Sequence, residues 1–181
     1  AARGPEIRVS RSHPDMVRKI FSLEIPEIAS GVVEIKGVAR EAGARSKVAV
    51  WTADEDIDPI GSCIGQRGTR IQTIIAELGG EKIDVIAFHE DQPRYVANAL
   101  SPAKVISVEI NEESKSALVK VATDQYSLSI GRGGQNVRLA SQLTGWQIVV
   151  EEQKTEVPAA VEEVPAEAPA EEKVTEESPK E

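Results

Sequence analysis

The chain has 181 residues, a formal net charge of −9 and one cysteine. This length holds one or two small domains, and the lone Cys63 excludes an internal disulfide and any multi-cysteine metal site. No apolar run approaches membrane-spanning length and no signal peptide is visible, so the expectation is a soluble, cytoplasmic monomer with neither metal nor cofactor.

The charge is unevenly placed. Residues 153–181 carry nine Glu against three Lys, whereas residues 1–152 carry 21 acidic and 18 basic side chains. The terminal segment is rich in Glu, Ala, Pro and Val and has no aromatic residue. Such a composition buries too little apolar surface to offset the entropy of ordering. It is read as a disordered acidic tail, either a solvating appendage or an element that repels stray nucleic acid or docks on a basic partner. The remainder is nearly balanced, so local patches decide its partners. It is not basic enough for tight, sequence-blind binding to duplex DNA.

The chain does not begin with Met, and residues 1–12 read as a linker trailing from something upstream. Pro14 then opens a helix with Ser12 as its N-cap. Two β-like runs follow, Val32 to Val38 and Lys47 to Thr52, and after them the acidic group Asp54, Glu55, Asp56 and Asp58. That group lacks the spacing and the distal Glu of an EF-hand loop, which favours a solvated turn. Next comes Ile64-Gly65-Gln66-Arg67-Gly68. Behind it Ile71, Ile74, Ile75 and Leu78 share one helix face until Gly79 ends the helix. Lys82 to Ile86 reads as a strand. The second half repeats this order. Asp91 caps a helix that begins near Pro93, and β-like runs from Lys104 to Ile110 and Ser116 to Ala122 are joined by the turn Asn111-Glu112-Glu113. Ile130-Gly131-Arg132-Gly133-Gly134 precedes a helix with its stripe at Val137, Leu139, Ala140 and Leu143. Gly145 ends that helix, and Gln147 to Val150 is the last strand.

The two Ile-Gly-x-x-Gly words lie 66 residues apart, as do Gly79 and Gly145. Each unit reads α-β-β-α-loop-α-β, which predicts an α+β protein of two tandem domains, 13–90 and 91–152. The first copy is longer, with 51 residues from Pro14 to Gly65 against 38 from Pro93 to Gly131. No loose linker separates the units, so rigid packing across a shared apolar surface is expected. A glycine-framed turn at a helix start lets backbone approach a phosphate chain, and the free N–H groups and positive helix end favour anions. Two such turns point to a ligand long enough to touch both, and single-stranded nucleic acid meets that need.

Helix, Gly-x-x-Gly and helix with flanking strands resemble a KH domain. The strands precede the helix pair, as in the prokaryotic type II order. The double Gly-x-x-Gly supports tandem KH domains and no more, but other words are more specific. Val38-Ala39-Arg40-Glu41-Ala42-Gly43 and Arg45-Ser46-Lys47-Val48-Ala49-Val50 resemble the first KH domain of the NusA family of bacterial transcription factors. Asn98-Ala99-Leu100-Ser101-Pro102-Ala103-Lys104-Val105 resembles the stretch between that family's two KH domains, and Leu143-Thr144-Gly145-Trp146 resembles its second. Ser10-Arg11-Ser12-His13-Pro14 is similar to that family's junction between an S1 domain and the first KH domain. The resemblance implies a fragment of a larger factor, without the N-terminal polymerase-binding and S1 domains. Its partners would be nascent single-stranded RNA, RNA polymerase and other elongation and antitermination factors. Its roles would lie in pausing, termination and antitermination.

A KH loop clamps about four nucleotides of backbone. By this resemblance the RNA contacts are Gly65, Gln66, Arg67 and Gly68 in one loop and Gly131, Arg132, Gly133 and Gly134 in the other. Arg70, Gln135, Asn136 and Arg138 follow in the first turns of the two helices, and Ile64, Ile71, Ile130 and Val137 line the groove under the bases. Aromatics are 3% of the chain and none lies near either loop, so recognition rests on backbone clamping and base-edge hydrogen bonds rather than stacking. Arg40, Arg45 and Lys47 either extend the RNA path or solvate a strand edge. His13 and His89 suit capping or surface roles, Trp51 and Trp146 core or interface positions, and Cys63 a packed one. A nucleotide-binding enzyme is disfavoured. Gly61 and Gly65 have three residues between them, where a Walker loop needs four and a following Lys, and a helix rather than a strand precedes each loop. A protein scaffold without RNA binding is the other alternative.

Overall fold

The computed structural model describes residue 4 and residues 9–153. The Glu-rich tail beyond 153 and most of the first eight residues lie outside this range. Helix α1 (Pro14–Glu24) begins at a proline, whose missing N–H needs no partner there. Its N-cap is His13, whose Nδ1 accepts the Asp15 N–H at 3.2 Å, and not Ser12. With Pro14 as the first helical residue, Ser12 is one position too early to cap. His89 does a similar job, its Nδ1 accepting the Asp91 N–H at 2.9 Å, and Asp91 in turn caps the Arg94 N–H at the start of α5 (Gln92–Ala99).

The first unit continues through α2 (Pro26–Ala29), β1 (Glu34–Glu41), β2 (Arg45–Trp51), α3 (Pro59–Ile64), α4 (Thr69–Glu77) and β3 (Lys82–Ala87). After α5 the second has β4 (Val105–Asn111), β5 (Ser116–Ala122), α6 (Thr123–Ile130), α7 (Gln135–Thr144) and β6 (Gln147–Gln153). The expected order therefore holds in both copies. The extra length of the first is taken up by α2, which the sequence reading did not foresee, and by an acidic turn before α3. There Asp54 accepts the Asp56 N–H and Asp58 caps α3, so these carboxylates serve turn and cap. In the second copy β5 passes directly into α6. Strand β1 starts at Glu34 rather than Val32, because Val33 N–H bonds back to Glu27 O and Gly31 turns the chain at φ +80°.

Each unit has a three-stranded mixed sheet with its middle strand antiparallel to the strand before it and parallel to the last. Corresponding register shifts occur at Ile35/Gly37 and Val105/Ser107. The helices cover one face. In the first unit Val17, Phe21, Ile25, Val48, Val50, Ile74 and the thiol of Cys63 are buried together. Burial pushes the Cys63 thiol up to about 12, which makes it a packed hydrophobe. Val96, Leu100, Val119, Ile148 and Trp146 fill the second, where Trp146 Nε1 donates to Gln92 Oε1.

The units pack directly on each other. Leu143 of α7 lies 3.0 Å from where a Cβ on Gly37 would be. Lys47 is fully buried, and its Nζ reaches Asp84 at 3.2 Å and the Ser101 carbonyl of the second unit at 2.8 Å. Burial lowers the Lys47 pKa even with Asp84 beside it. Asn98 Nδ2 donates to Ala87 O, and the Phe88 and Tyr95 rings meet edge to face at 4.9 Å. No helix among the described residues is long and apolar enough to cross a membrane.

Candidate nucleic-acid interface

The two glycine loops have the same backbone. Gly65 and Gly131 both have φ +74°, with ψ 174° and 172°. Arg67 and Gly133 follow at φ 54° and 60°, and Gly68 and Gly134 at 79° and 73°. Extended ψ at positive φ is a region that only glycine occupies without strain, so the first glycine of each word is required by the turn itself. Each loop ends with an αL glycine as the N-cap of the next helix, and neither helix receives a side-chain cap. The first N–H groups of α4 and α7 therefore lack side-chain partners and carry the positive helix end.

Side chains on the loops divide into outward and inward sets. Gln66, Arg67, Arg132 and Gly133 are exposed, and Ile64 is 38% exposed. Ile130 and Val137 are half-buried. Ile71 is 8% exposed and belongs to the first core, and Asn136 is 4% exposed. Arg70 and Asn136 occupy the same place in the repeat and do the same structural job. Arg70 NH1 donates to the Ser62 carbonyl at 2.7 Å, and Asn136 Nδ2 to the Leu128 carbonyl at 3.3 Å, 66 residues on. Each strut ties the loop to the helix before it. Arg70 is also paired with Glu27 of α2 at 2.9 Å. The Glu27 carboxyl is held below its usual range by its own backbone N–H and then, against the effect of burial, by Arg70. Asn136 Nδ2 also reaches Leu100 O and Ser129 O, while its Oδ1 has no partner among the described residues. Asn136→Ala would strand three carbonyls at this junction. A stability loss of about 1–3 kcal/mol is expected, and unchanged urea unfolding would dismiss the strut.

Gln135 and Arg138 face the first domain. Both donate to Glu41 at the end of β1, each at 2.7 Å. Those bonds, Gln135 first and Arg138 next, hold the Glu41 carboxyl below its usual range against the effect of burial. Of the three strand cations considered for the RNA path, Arg40 is bound to Glu81 and Lys47 is buried at the interface. Arg45 is partly exposed and forks onto Asp84 at 2.7 and 2.8 Å, which raises its pKa.

Beside each loop lies a polar hollow lined by equivalent residues. Gly61, Ser62, Gly65, Gln66, Thr69 and Arg70 line the first, with Glu27. Ser127, Leu128, Gly131, Arg132, Gln135 and Asn136 line the second, each 66 residues on, and Ala44, Arg45 and Lys82 of the first domain close its far side, with Pro102. Glu27, Glu41 and Lys82 were not picked out by sequence reasoning. Glu27 lies in the unrepeated part of the first copy. Lys82 lines the second hollow beside Arg45, which the parallel pairing of β3 with β2 sets opposite it.

Comparison with known proteins agrees with this architecture. Residues 11–88 match the model of a NusA-like first KH domain and residues 92–159 that of a NusA-like second KH domain. Proteins named transcription termination/antitermination protein NusA are 55% identical to the chain in Bacillus subtilis (81% of this chain, 39% of that protein). The Thermus thermophilus protein is also 55% identical (84% and 39%), as is that of Mycobacterium tuberculosis (81% and 43%). The chain thus spans about two fifths of the length of these relatives. The solved structure of APE1850 superposes with a TM-score of 0.55 at 24% identity, over 77% of this chain and 97% of that one, a likeness of fold alone. The chain belongs to the NusA-like KH family, carrying that family's first KH domain followed by its second.

Proposed function

We propose that the chain is a non-enzymatic RNA-binding module that grips single-stranded nascent RNA with its two Gly-x-x-Gly loops. It would act as part of a cytoplasmic transcription termination and antitermination factor. The observation that carries this reading is the repeated loop backbone. Gly65 and Gly131 agree within 2° in ψ and share φ +74°, although the inner side chains differ, Gln-Arg in one loop and Arg-Gly in the other. A repeated conformation with unrepeated side chains suits a task done by main-chain N–H groups, and the sugar–phosphate backbone is a ligand that such groups read. The relatives' names supply the biological setting. RNA polymerase and other elongation or antitermination factors are partners of the whole factor, with this chain contributing the RNA grip as a monomer.

Each loop alone is a weak site. On one frame the second contact becomes intramolecular, and avidity gains on the order of 100-fold. Affinity for a ten-nucleotide single-stranded RNA is therefore expected to fall by about that factor in Gln66→Asp/Arg67→Asp and in Arg132→Asp, with circular dichroism unchanged. Gln66, Arg67 and Arg132 are exposed, whereas Gly133 has φ +60°, where a side chain is strained, so Arg132→Asp alone is the variant that keeps the loop backbone. A four-nucleotide RNA that bound as tightly as the ten-nucleotide one would refute the tandem grip. Folded variants with wild-type affinity would leave a protein scaffold as the reading.

A further inference from the structure

The hollow beside the second loop lies between the domains, with a volume of about 400 Å³. Its charges can be followed one by one. Arg45 is neutralised by Asp84, and Arg138 beside the cleft by Glu41. Lys82 and Arg132 also line it, both exposed, and neither has a carboxylate partner among the described residues. One comes from the first domain and one from the second loop. The equivalent hollow beside the first loop has no such pair. Its only cation, Arg70, is paired with Glu27, and its counterpart of Arg132 is the neutral Gln66.

We propose that the interdomain cleft is a composite phosphate subsite, in which Lys82 of the first domain and Arg132 of the second loop together hold a backbone phosphate of the bound strand. This rests on the RNA-binding reading and adds a residue to it that lies outside both glycine words. Two uncompensated cations across a cleft concentrate potential there, and the uncapped start of α7 adds to it. A strand crossing from one domain to the other is then held at the junction as well as at the loops. The second site gathers two cations unpaired among the described residues, Lys82 and Arg132, whereas the exposed Arg67 stands alone on the first loop.

The test is the salt dependence of binding of a ten-nucleotide single-stranded RNA to the full chain. Each phosphate neutralised contributes a slope of about −0.7 in log affinity against log salt for a single strand. Lys82→Gln is expected to flatten the slope by about 0.7 and to weaken binding about five-fold at low salt, as for an exposed charge contact. Lys82→Arg should restore both, and Lys19→Gln on α1, an exposed lysine that does not line the cleft, should change neither. A Lys82→Gln protein with wild-type slope overturns the proposal, even if its affinity falls. Acetylation footprinting of the unmutated chain gives an independent readout, in which RNA must protect Lys82 and not Lys19; equal labelling with and without RNA overturns the proposal too. If the unmutated chain binds no RNA, the underlying RNA-binding reading fails instead, which is a separate outcome.

Discussion

Urea unfolding of Glu81→Ala is expected to reveal a loss of about 3–5 kcal/mol, the usual consequence of removing one partner of a buried ion pair. Glu81 is fully buried. Its Oε1 accepts from Arg40 Nε at 2.9 Å and from the Ser46 hydroxyl at 2.5 Å, and its Oε2 from Arg40 NH2 at 3.0 Å and Gly43 N–H at 2.9 Å. Arg40 NH1 continues to the His13 carbonyl, so the carboxylate ties the β1–β2 turn and the start of α1 to the chain just before β3. Its removal strands a guanidinium whose side chain is 3% exposed. The same site gives a pH dependence. Burial alone would raise the Glu81 carboxyl, but bonds from Arg40, Ser46 and Gly43 outweigh it and hold the pKa below the ordinary glutamate value. A carboxyl depressed in the folded state binds its proton more readily in the unfolded chain. Its stabilisation is complete above about pH 5 and is lost as pH falls through the depressed value. Stability measured from pH 6 downward should fall less steeply in Glu81→Gln than in the unmutated chain. Equal slopes would mean that Glu81 does not titrate with unfolding.

Gly131→Ala is expected to damage both folding and RNA binding, and to do so more than Gly65→Ala. Both glycines occupy a region that costs an L-residue about 1–3 kcal/mol. What the new methyl group meets is different. At position 131 it falls 2.8 Å from Asn136 Cβ and 2.9 Å from the Asn136 backbone nitrogen. Backbone at the first turn of α7 cannot step aside without opening the loop. At position 65 it meets Arg70 Cγ at 2.8 Å and Cδ at 3.0 Å. That flexible side chain can turn away, at the expense of its bond to Ser62 O. Gly131→Ala should therefore unfold at lower urea than Gly65→Ala, and its affinity for a ten-nucleotide RNA should drop by about 100-fold as the second grip is lost. Equal midpoints for the two variants would contradict the steric argument. Wild-type RNA affinity in a folded Gly131→Ala would contradict the loop's role.

The repeat was legible because its signals are local. Glycine spacing, the apolar stripes of α4 and α7, Asp91 before α5 and the alternating runs of β5 all depend on a few adjacent residues. The same locality explains the errors of detail. Ser12 is a good capping residue, but Pro14 fixes the cap at His13. Helix α2 has four residues, too few for any periodicity to appear.

The sequence by itself determined the α-β-β-α-loop-α-β order, its duplication and the glycine-only turns, since these follow from backbone preference and the period of apolar residues. Which charged side chains remain available to a ligand was decided only by the tertiary structure. Arg40, Lys47, Arg70 and Arg138 look alike on paper, yet Glu81, Asp84, Glu27 and Glu41 each engage one of them from a distant part of the chain. Lys82, an ordinary strand residue in sequence, is left unpaired among the described residues beside Arg132 by the parallel pairing of β3 with β2 and the packing of α7 on β1. A charge is neutralised by whatever folding brings within a few ångströms of it, and sequence distance does not encode that proximity.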